Sequence, residues 1–386
     1  MTRTRTAVIA LFVVLAASLT GCLSNAGDIS KVTKIDSRDV AGWHYDLYRN
    51  SAYPCSISGF QTFAIGTKIG SSATATSPLW VKMRGGGYGY FDATGTAQPT
   101  PGLMKESNLD DLLTFDTAGL MASVKAAPEG FRTLIVSMCS HDIYGGNNTA
   151  DPHNPNLGPD GQPRTTNGLI ATKAAVQYTE AQYPTGKYFL HGTSAGSAGT
   201  FGVAWGLQQQ GIAPAGIVAD SGVVDQTWEH EVAAQGTCTA DSGNDSEAGG
   251  EALLARIAPD IASVDNQPDQ LVSRGALTVP IMHVWNHGDH NSCGETPMQC
   301  TLRDGTTLTM GAADCRHEDL RRAIAAQGPS SRSANLAVCV EGSDTTAPCD
   351  LHVVTTRAHG VNSAPGGPAD YQAAILTWVR ARLADT

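Results

Sequence analysis

The feature that most constrains this chain is the run Tyr188-Phe189-Leu190-His191-Gly192-Thr193-Ser194-Ala195-Gly196. A short apolar segment passes directly into Gly-x-Ser-x-Gly and then into small residues. The pattern predicts a strand over Lys187 to His191, a sharp turn at Ser194 and a helix from Gly196 to Gln210. A serine on such a strand-to-helix turn is strained, and side chains in place of Gly192 and Gly196 would collide there. The turn lifts the hydroxyl clear of a sheet and points a helix N-terminus at whatever the serine meets. With 42 glycines in 386 residues, Gly-x-Ser-x-Gly arises by chance roughly a few tenths of a time per chain. Its weight comes from the flanking strand and helix and from the triple glycine upstream.

Apolar, β-branched runs bounded by Gly or Pro recur along the chain at spacings that suit alternating strands and helices. Strands are predicted over Phe60 to Ile69, Pro78 to Met83, Thr133 to Met138, Ala215 to Ala219, Val279 to Trp285 and Asn335 to Val340. Helices are predicted over Asn167 to Glu180 and Asp370 to Leu383. Such alternation implies an α/β chain with a mainly parallel central sheet and helices on both faces. Functional loops then gather at the strand C-termini. The stretch Tyr144 to Thr166, rich in Gly, Asn, Pro and Asp, reads as a long irregular loop, either a site wall or a surface segment.

The N-terminus reads as a targeting signal. Arg3 and Arg5 precede an apolar run from Ala7 to Ser18, too short to span a bilayer, and Leu19-Thr20-Gly21-Cys22 resembles a bacterial lipobox. The expectation is a lipoprotein signal peptide over 1–21, a lipidated tether over 22–37 and one catalytic domain over 38–386. The protein would then be anchored through Cys22 to a membrane of the bacterial cell envelope, on the extracytoplasmic side. The other eight cysteines, Cys55, Cys139, Cys238, Cys293, Cys300, Cys315, Cys339 and Cys349, form an even set consistent with export and disulfides. Local spacing favours Cys300–Cys315 and Cys339–Cys349; the other four, Cys55, Cys139, Cys238 and Cys293, allow three pairings, of which Cys55–Cys139 with Cys238–Cys293 is the expectation. No two cysteines have Cys-x-x-Cys spacing, which argues against a structural zinc site. A net charge of −11 without a basic patch makes nucleic acid a poor partner. With 41% hydrophobic and 16% charged residues, the chain has a globular composition. The oligomeric state has no signature in the sequence.

Acyl transfer from a serine needs a base, an acid that orients the base, and donors for the oxyanion. The chain supplies candidates in the order Ser, Asp, His. Asp289, in Val284-Trp285-Asn286-His287-Gly288-Asp289, follows a predicted strand; Asp220, at the end of another strand, is its competitor and reads better as a turn residue. His352 and His359 both lie beyond Val340 and compete for the base, with His359 favoured only if Leu351 to Thr356 is itself the last strand. The residue after the serine, Ala195, and Gly86 and Gly87 in Arg84-Gly85-Gly86-Gly87-Tyr88 are candidate backbone donors to an oxyanion. His283, His287 and His290 form a histidine cluster, but no carboxylate or cysteine pattern of a known metal motif surrounds it. No cofactor or metal is implied.

From about Pro78 to Leu383 these segments resemble the pectin acetylesterase and Notum-type carboxylesterase family. Val81 to Tyr88 is similar to that family's strand and Gly-Gly-Gly-aromatic segment. Cys139-Ser140-His141-Asp142 with Gly145 is similar to its Tyr-Cys-x-Gly-Asp block, and Asp220-Ser221-Gly222 to its Asp-Ser/Ala-Gly. Thr193 stands where a cysteine is common, and Arg84 where an acidic or apolar residue is usual. The resemblance implies an α/β-hydrolase fold, Ser194, Asp289 and His352 as the triad, a structural Asp220, and an ester substrate. Acylated polysaccharide is one candidate substrate. Lipase or polyester-depolymerase specificity, and a non-catalytic carbohydrate-binding lipoprotein, are the alternatives.

Overall fold

Residues 77–83 show why a sheet forms here. In Ser77–Met83, Leu79, Val81 and Met83 join one apolar cluster while Trp80 joins another on the opposite face. This two-residue alternation, with both faces buried, belongs to a strand at the centre of a covered sheet. A computed structural model of the chain describes residues 25–72, 74–98, 108–114, 118–237, 250–338, 352–356 and 371–385. Cys22, Cys238, Cys339, Cys349, His359 and the expected signal peptide lie outside the described residues.

Among the described residues, nine strands form the main sheet: β1 (Val32–Val40), β2 (Trp43–Pro54), β3 (Phe60–Lys68), β4 (Ser77–Met83), β5 (Arg132–Val136), β6 (Thr185–Thr193), β7 (Gly216–Asp220), β8 (Ile281–Asn286) and β9 (Ala334–Val338). Their order across the sheet is β1-β2-β3-β5-β4-β6-β7-β8-β9. Strands β4 to β9 are mutually parallel, whereas β1, β2 and β3 join as an antiparallel ribbon on one side.

Helices cover both faces. On one lie α2 (Gly168–Gln182), α3 (Ala195–Gln209) and α6 (Ala312–Ala326), which insert Val176, Phe201, Leu207 and Leu320 against the sheet. On the other lie α1 (Gly119–Ala126) and α7 (Tyr371–Ala384), which insert Leu120, Val124, Ile375 and Trp378. Each such side chain contributes about 1.5–3 kcal/mol when fully buried. Between these, α4 (Gln226–Gln235) and α5 (Gly250–Ile257) stand over the C-terminal ends of the strands. Among the described residues, no helix is long and apolar enough to cross a membrane.

Two expectations need correction. The segment over 22–37 is not a tether throughout, and the domain does not begin at residue 38. β1 starts at Val32, the Asn25 carbonyl accepts from Lys173 Nζ at 2.7 Å, and Asp28 N donates to Tyr53 Oη at 2.6 Å. Gly27 lies so close to α2 that a Cβ there would sit 2.5 Å from Ala174 Cβ. The segment looks polar because β1 is an edge strand with most side chains in solvent. Second, residues 144–166 are held in place rather than irregular throughout. Thr149–Ala150 pairs with Thr165–Thr166, buried Asp151 meets Arg256 at 3.1 Å, and Arg164 Nη1 donates to the Cys55 and Gly59 carbonyls at 2.8 Å.

The disulfides Cys55–Cys139 and Cys300–Cys315 are present, with Cα atoms 5.2 and 5.7 Å apart, and Cys293 is also disulfide-bonded. The first ties the ribbon to the loop after β5. The second ties the two-stranded ribbon Pro297–Thr301 and Thr307–Gly311 to α6.

Candidate active site

β6 runs into α3 with a single residue between them, Ser194, at φ +51° and ψ −123°. A non-glycine residue in such backbone costs about 1–3 kcal/mol and persists only where its surroundings enforce it. Here they do. A Cβ on Gly192 would lie 2.3 Å from the Gly196 carbonyl oxygen, and one on Gly196 would lie 2.2 Å from that of Met83. The glycines therefore let the turn close against itself and against β4.

The loop after β8 carries Asp289, and residues 352–356, which form a turn rather than a strand, carry His352. His352 Nε2 is 2.6 Å from Ser194 Oγ, and Nδ1 is 2.8 Å from Asp289 Oδ1. With a carboxylate at Nδ1, the imidazole carries its proton there and Nε2 accepts from the serine hydroxyl. Asp289 is fully buried. It also accepts from Asn291 N at 2.9 Å and from Ser292 Oγ at 2.9 Å. Ser292 Oγ in turn accepts from Arg316 Nη1 at 3.0 Å. The Arg316 guanidinium lies 4.8 Å over the Trp228 ring and also donates to the Val223 carbonyl.

The glycine loop after β4 lies beside the serine. Gly85 N donates to Thr193 Oγ1 at 3.1 Å, and Arg84 N donates to Tyr144 Oη at 2.9 Å. Gly86 and Gly87 follow with φ of 144° and 69°. Gly87, Ala195, Ser194 and His352 share one cavity of about 140 Å³, while Gly86 is not among its lining residues. Ile143, Ala198, Val223, Val224 and Leu254 form the apolar wall; Glu229, Asn291 and Arg316 form the polar one. Ile143 is placed by the buried Asp142 carboxylate, which accepts from Tyr144 N, Gly146 N and Gly168 N at 3.1, 3.0 and 2.7 Å. Burial raises the Asp142 carboxyl to about 6 against those donors.

The other candidates go elsewhere. The Asp220 carboxylate is bonded to Ser221 Oγ and to residues 354–355, not to an imidazole. The histidine cluster divides among separate partners. His283 stacks on Trp285 with ring centres 4.7 Å apart and bonds Asn335 and His317, whereas His287 Nδ1 meets Asp314 Oδ2 at 2.6 Å. Burial lowers His283 to about 4 and His317 well below its ordinary value, so both are neutral near pH 7. Among the described residues, no group of three or more His, Cys, Asp or Glu is arranged to hold a metal. Ser292, Asp314 and Arg316 stand in no sequence motif. The one signal that marked their neighbourhood was the cysteine pair Cys300 and Cys315, which brackets the start of α6.

A mainly parallel sheet with helices on both faces, a serine at a strand-to-helix elbow, and Asp and His on loops after later strands together constitute the α/β-hydrolase fold. No protein-family model and no curated protein matches the chain. Among solved structures, the chain is similar to a candidate acetyl xylan esterase from Bacteroides fragilis NCTC 9343. The identity is 13% and the TM-score 0.48, over 95% of this chain and 85% of that one. It is also similar to brefeldin A esterase, described as a bacterial homologue of human hormone-sensitive lipase, at 15% identity and TM-score 0.40, over 80% and 72% of the two chains. A thermostable esterase from Pseudomonas putida ECU1011 matches at 12% identity and TM-score 0.40, over 83% and 77%. Likenesses this distant bear on neither substrate nor mechanism.

Proposed function

We propose that the protein is a serine carboxylesterase, and the observation that carries this reading is the Ser194–His352–Asp289 relay with its 2.6 and 2.8 Å contacts. Ser194 Oγ attacks the ester carbonyl as its proton passes to His352 Nε2. Asp289 holds the ring and stabilises the imidazolium. The oxyanion meets backbone N–H groups of Ala195 at the start of α3 and of Gly87 in the glycine loop. The imidazolium gives its proton to the departing alcohol, which leaves an acyl-enzyme. Water, activated by the same imidazole, then frees the acid and restores the serine. The site cavity, about 140 Å³, is small beside the roughly 300–1,000 Å³ of pockets that enclose drug-sized ligands. This supports a short acyl group, and with the glycine-loop and Asp-Ser-Gly resemblances it favours an acetyl ester, an acetylated polysaccharide included. The basic, apolar and lipobox order of residues 1–22 places the enzyme, in this reading, on the outer side of a bacterial membrane through lipidated Cys22.

The test is a series of aryl esters of increasing acyl length together with a fluorophosphonate probe. Acetate and propionate esters should turn over fastest, and the probe should label Ser194. A preference for long acyl chains overturns the short-acyl reading, and a wild-type protein that does not label is not a serine esterase. His352→Ala should lower kcat at least about 10³-fold, whereas His359→Ala should cost about tenfold or less. The reverse result moves the base to His359. Cys22→Ser should release the protein from the membrane fraction with its esterase activity intact; an anchored variant refutes the lipid attachment.

A further inference from the structure

Asp220 ends β7, adjacent to the elbow strand, and is fully buried. Its main-chain oxygen accepts from Ser194 N at 2.8 Å. Its carboxylate reaches the opposite side of the site. Oδ1 accepts from Ser221 Oγ at 2.7 Å and from Val354 N at 3.2 Å, and Oδ2 from Thr355 N at 2.7 Å and Thr355 Oγ1 at 2.6 Å. One residue is thus bonded to the backbone of the nucleophile and to the loop two residues beyond His352.

The bonds continue into the core. Trp80 Nε1 donates to His191 Nδ1 at 3.2 Å, which leaves the His191 proton on Nε2. His191 Nε2 then donates to Thr355 Oγ1 at 2.9 Å, and that hydroxyl donates to Asp220. Trp80, His191, Thr355 and Asp220 are all buried, so each polar atom depends on its neighbour rather than on water. On the far side, the Thr355 carbonyl accepts from Leu120 N at 2.8 Å, at the start of α1. Among the described residues, every group bonded to the Asp220 carboxylate is a donor. That environment suits an acceptor-only carboxylate and disfavours an amide, whose NH₂ would oppose an N–H.

We infer that Asp220 is a positioning residue: it holds the histidine loop in register with the nucleophile so that His352 Nε2 meets Ser194 Oγ. This inference rests on the serine esterase reading. A base must sit within about 2.6–3.2 Å of the hydroxyl it deprotonates, and a displacement of about 1 Å costs on the order of 100-fold in rate. Asp220 therefore controls turnover without touching substrate. A residue that served only stability would change the folded fraction and leave the rate of each folded molecule alone.

The experiment measures kcat per active serine, with fluorophosphonate labelling counting the serines. Asp220→Asn should lower kcat per labelled serine about 100-fold, with KM changed less than about threefold. Thr355→Val, which removes only the hydroxyl, should lower it about tenfold, and Thr355→Ser should restore it to within about twofold. If Asp220→Asn does not fold, the Thr355 pair decides the matter. Wild-type kcat per serine in Asp220→Asn or in Thr355→Val overturns the inference, as does a Thr355→Ser enzyme no faster than Thr355→Val. A wild-type protein that does not label overturns the esterase reading, which separates that failure from this one.

Discussion

Strands β4, β6 and β8 end in the loops that carry Gly85 to Tyr88, Ser194 and Asp289, and β7 ends on Asp220 itself, whereas β1, β2 and β3 end in none of the candidate site residues. The contrast extends to packing. Around the elbow, backbone passes backbone so closely that a Cβ on Gly222 would lie 1.9 Å from the Ser194 carbonyl oxygen. The ribbon instead buries Trp43, Tyr45 and Leu47 beneath Leu109 and Leu112, and Lys125 Nζ lies 5.0 Å over the Trp43 ring. One region spends conformational strain on placing a hydroxyl. The other adds apolar burial and an edge whose charged side chains, Lys34, Asp36 and Arg38, discourage pairing with another sheet. Changes in the parallel region should therefore alter rate at nearly constant stability, and changes in the ribbon should do the reverse.

The largest expected effect is that of Ser194→Ala. It should remove about 10⁶-fold of kcat while the melting temperature stays within a few degrees, as measured by aryl-ester hydrolysis and circular dichroism. A variant with more than a tenth of wild-type activity would move the chemistry away from the elbow. Asp289→Asn should cost about 10⁴-fold, because the amide no longer fixes the imidazole proton on Nδ1. A cost below about tenfold would leave Asp289 no orienting role.

Replacing both Cys55 and Cys139 by serine tests the ribbon side. That bridge closes a loop of 84 residues, for which chain entropy gives about 4.5 kcal/mol. Denaturant unfolding should show a loss of this order, with kcat per labelled serine unchanged. A fall in kcat at constant folded fraction would break the division between the two regions. The Cys300→Ser, Cys315→Ser pair removes a 15-residue closure and about 3 kcal/mol. It should also lower kcat several-fold, because Cys315 lies between Asp314 and Arg316, which bond His287 and Ser292. An unchanged kcat would show that α6 supports the acid loop without that staple.

The parallel strands were legible because each is a short apolar run bounded by Gly or Pro, and both faces of such a strand must be buried. Ser194 was legible because its geometry demands glycine at two fixed offsets, a constraint local enough to be written in five residues. The hairpin of β1 and β2 was not legible. Its Ala41-Gly42 turn lacks the Asn-Gly signature, although both residues have positive φ, and its outer strand is polar by virtue of being an edge. Chain order narrowed the partners of the serine to Asp289 or Asp220 and His352 or His359. Only the tertiary structure brought Asp289 and His352 onto one relay with Ser194 and set the Asp220 carboxylate against the amides of 354 and 355. A glycine at a tight turn answers to clashes within a few residues of itself. A carboxylate is assigned by the donors that reach it, and here those donors lie 63 and 135 positions away in the chain.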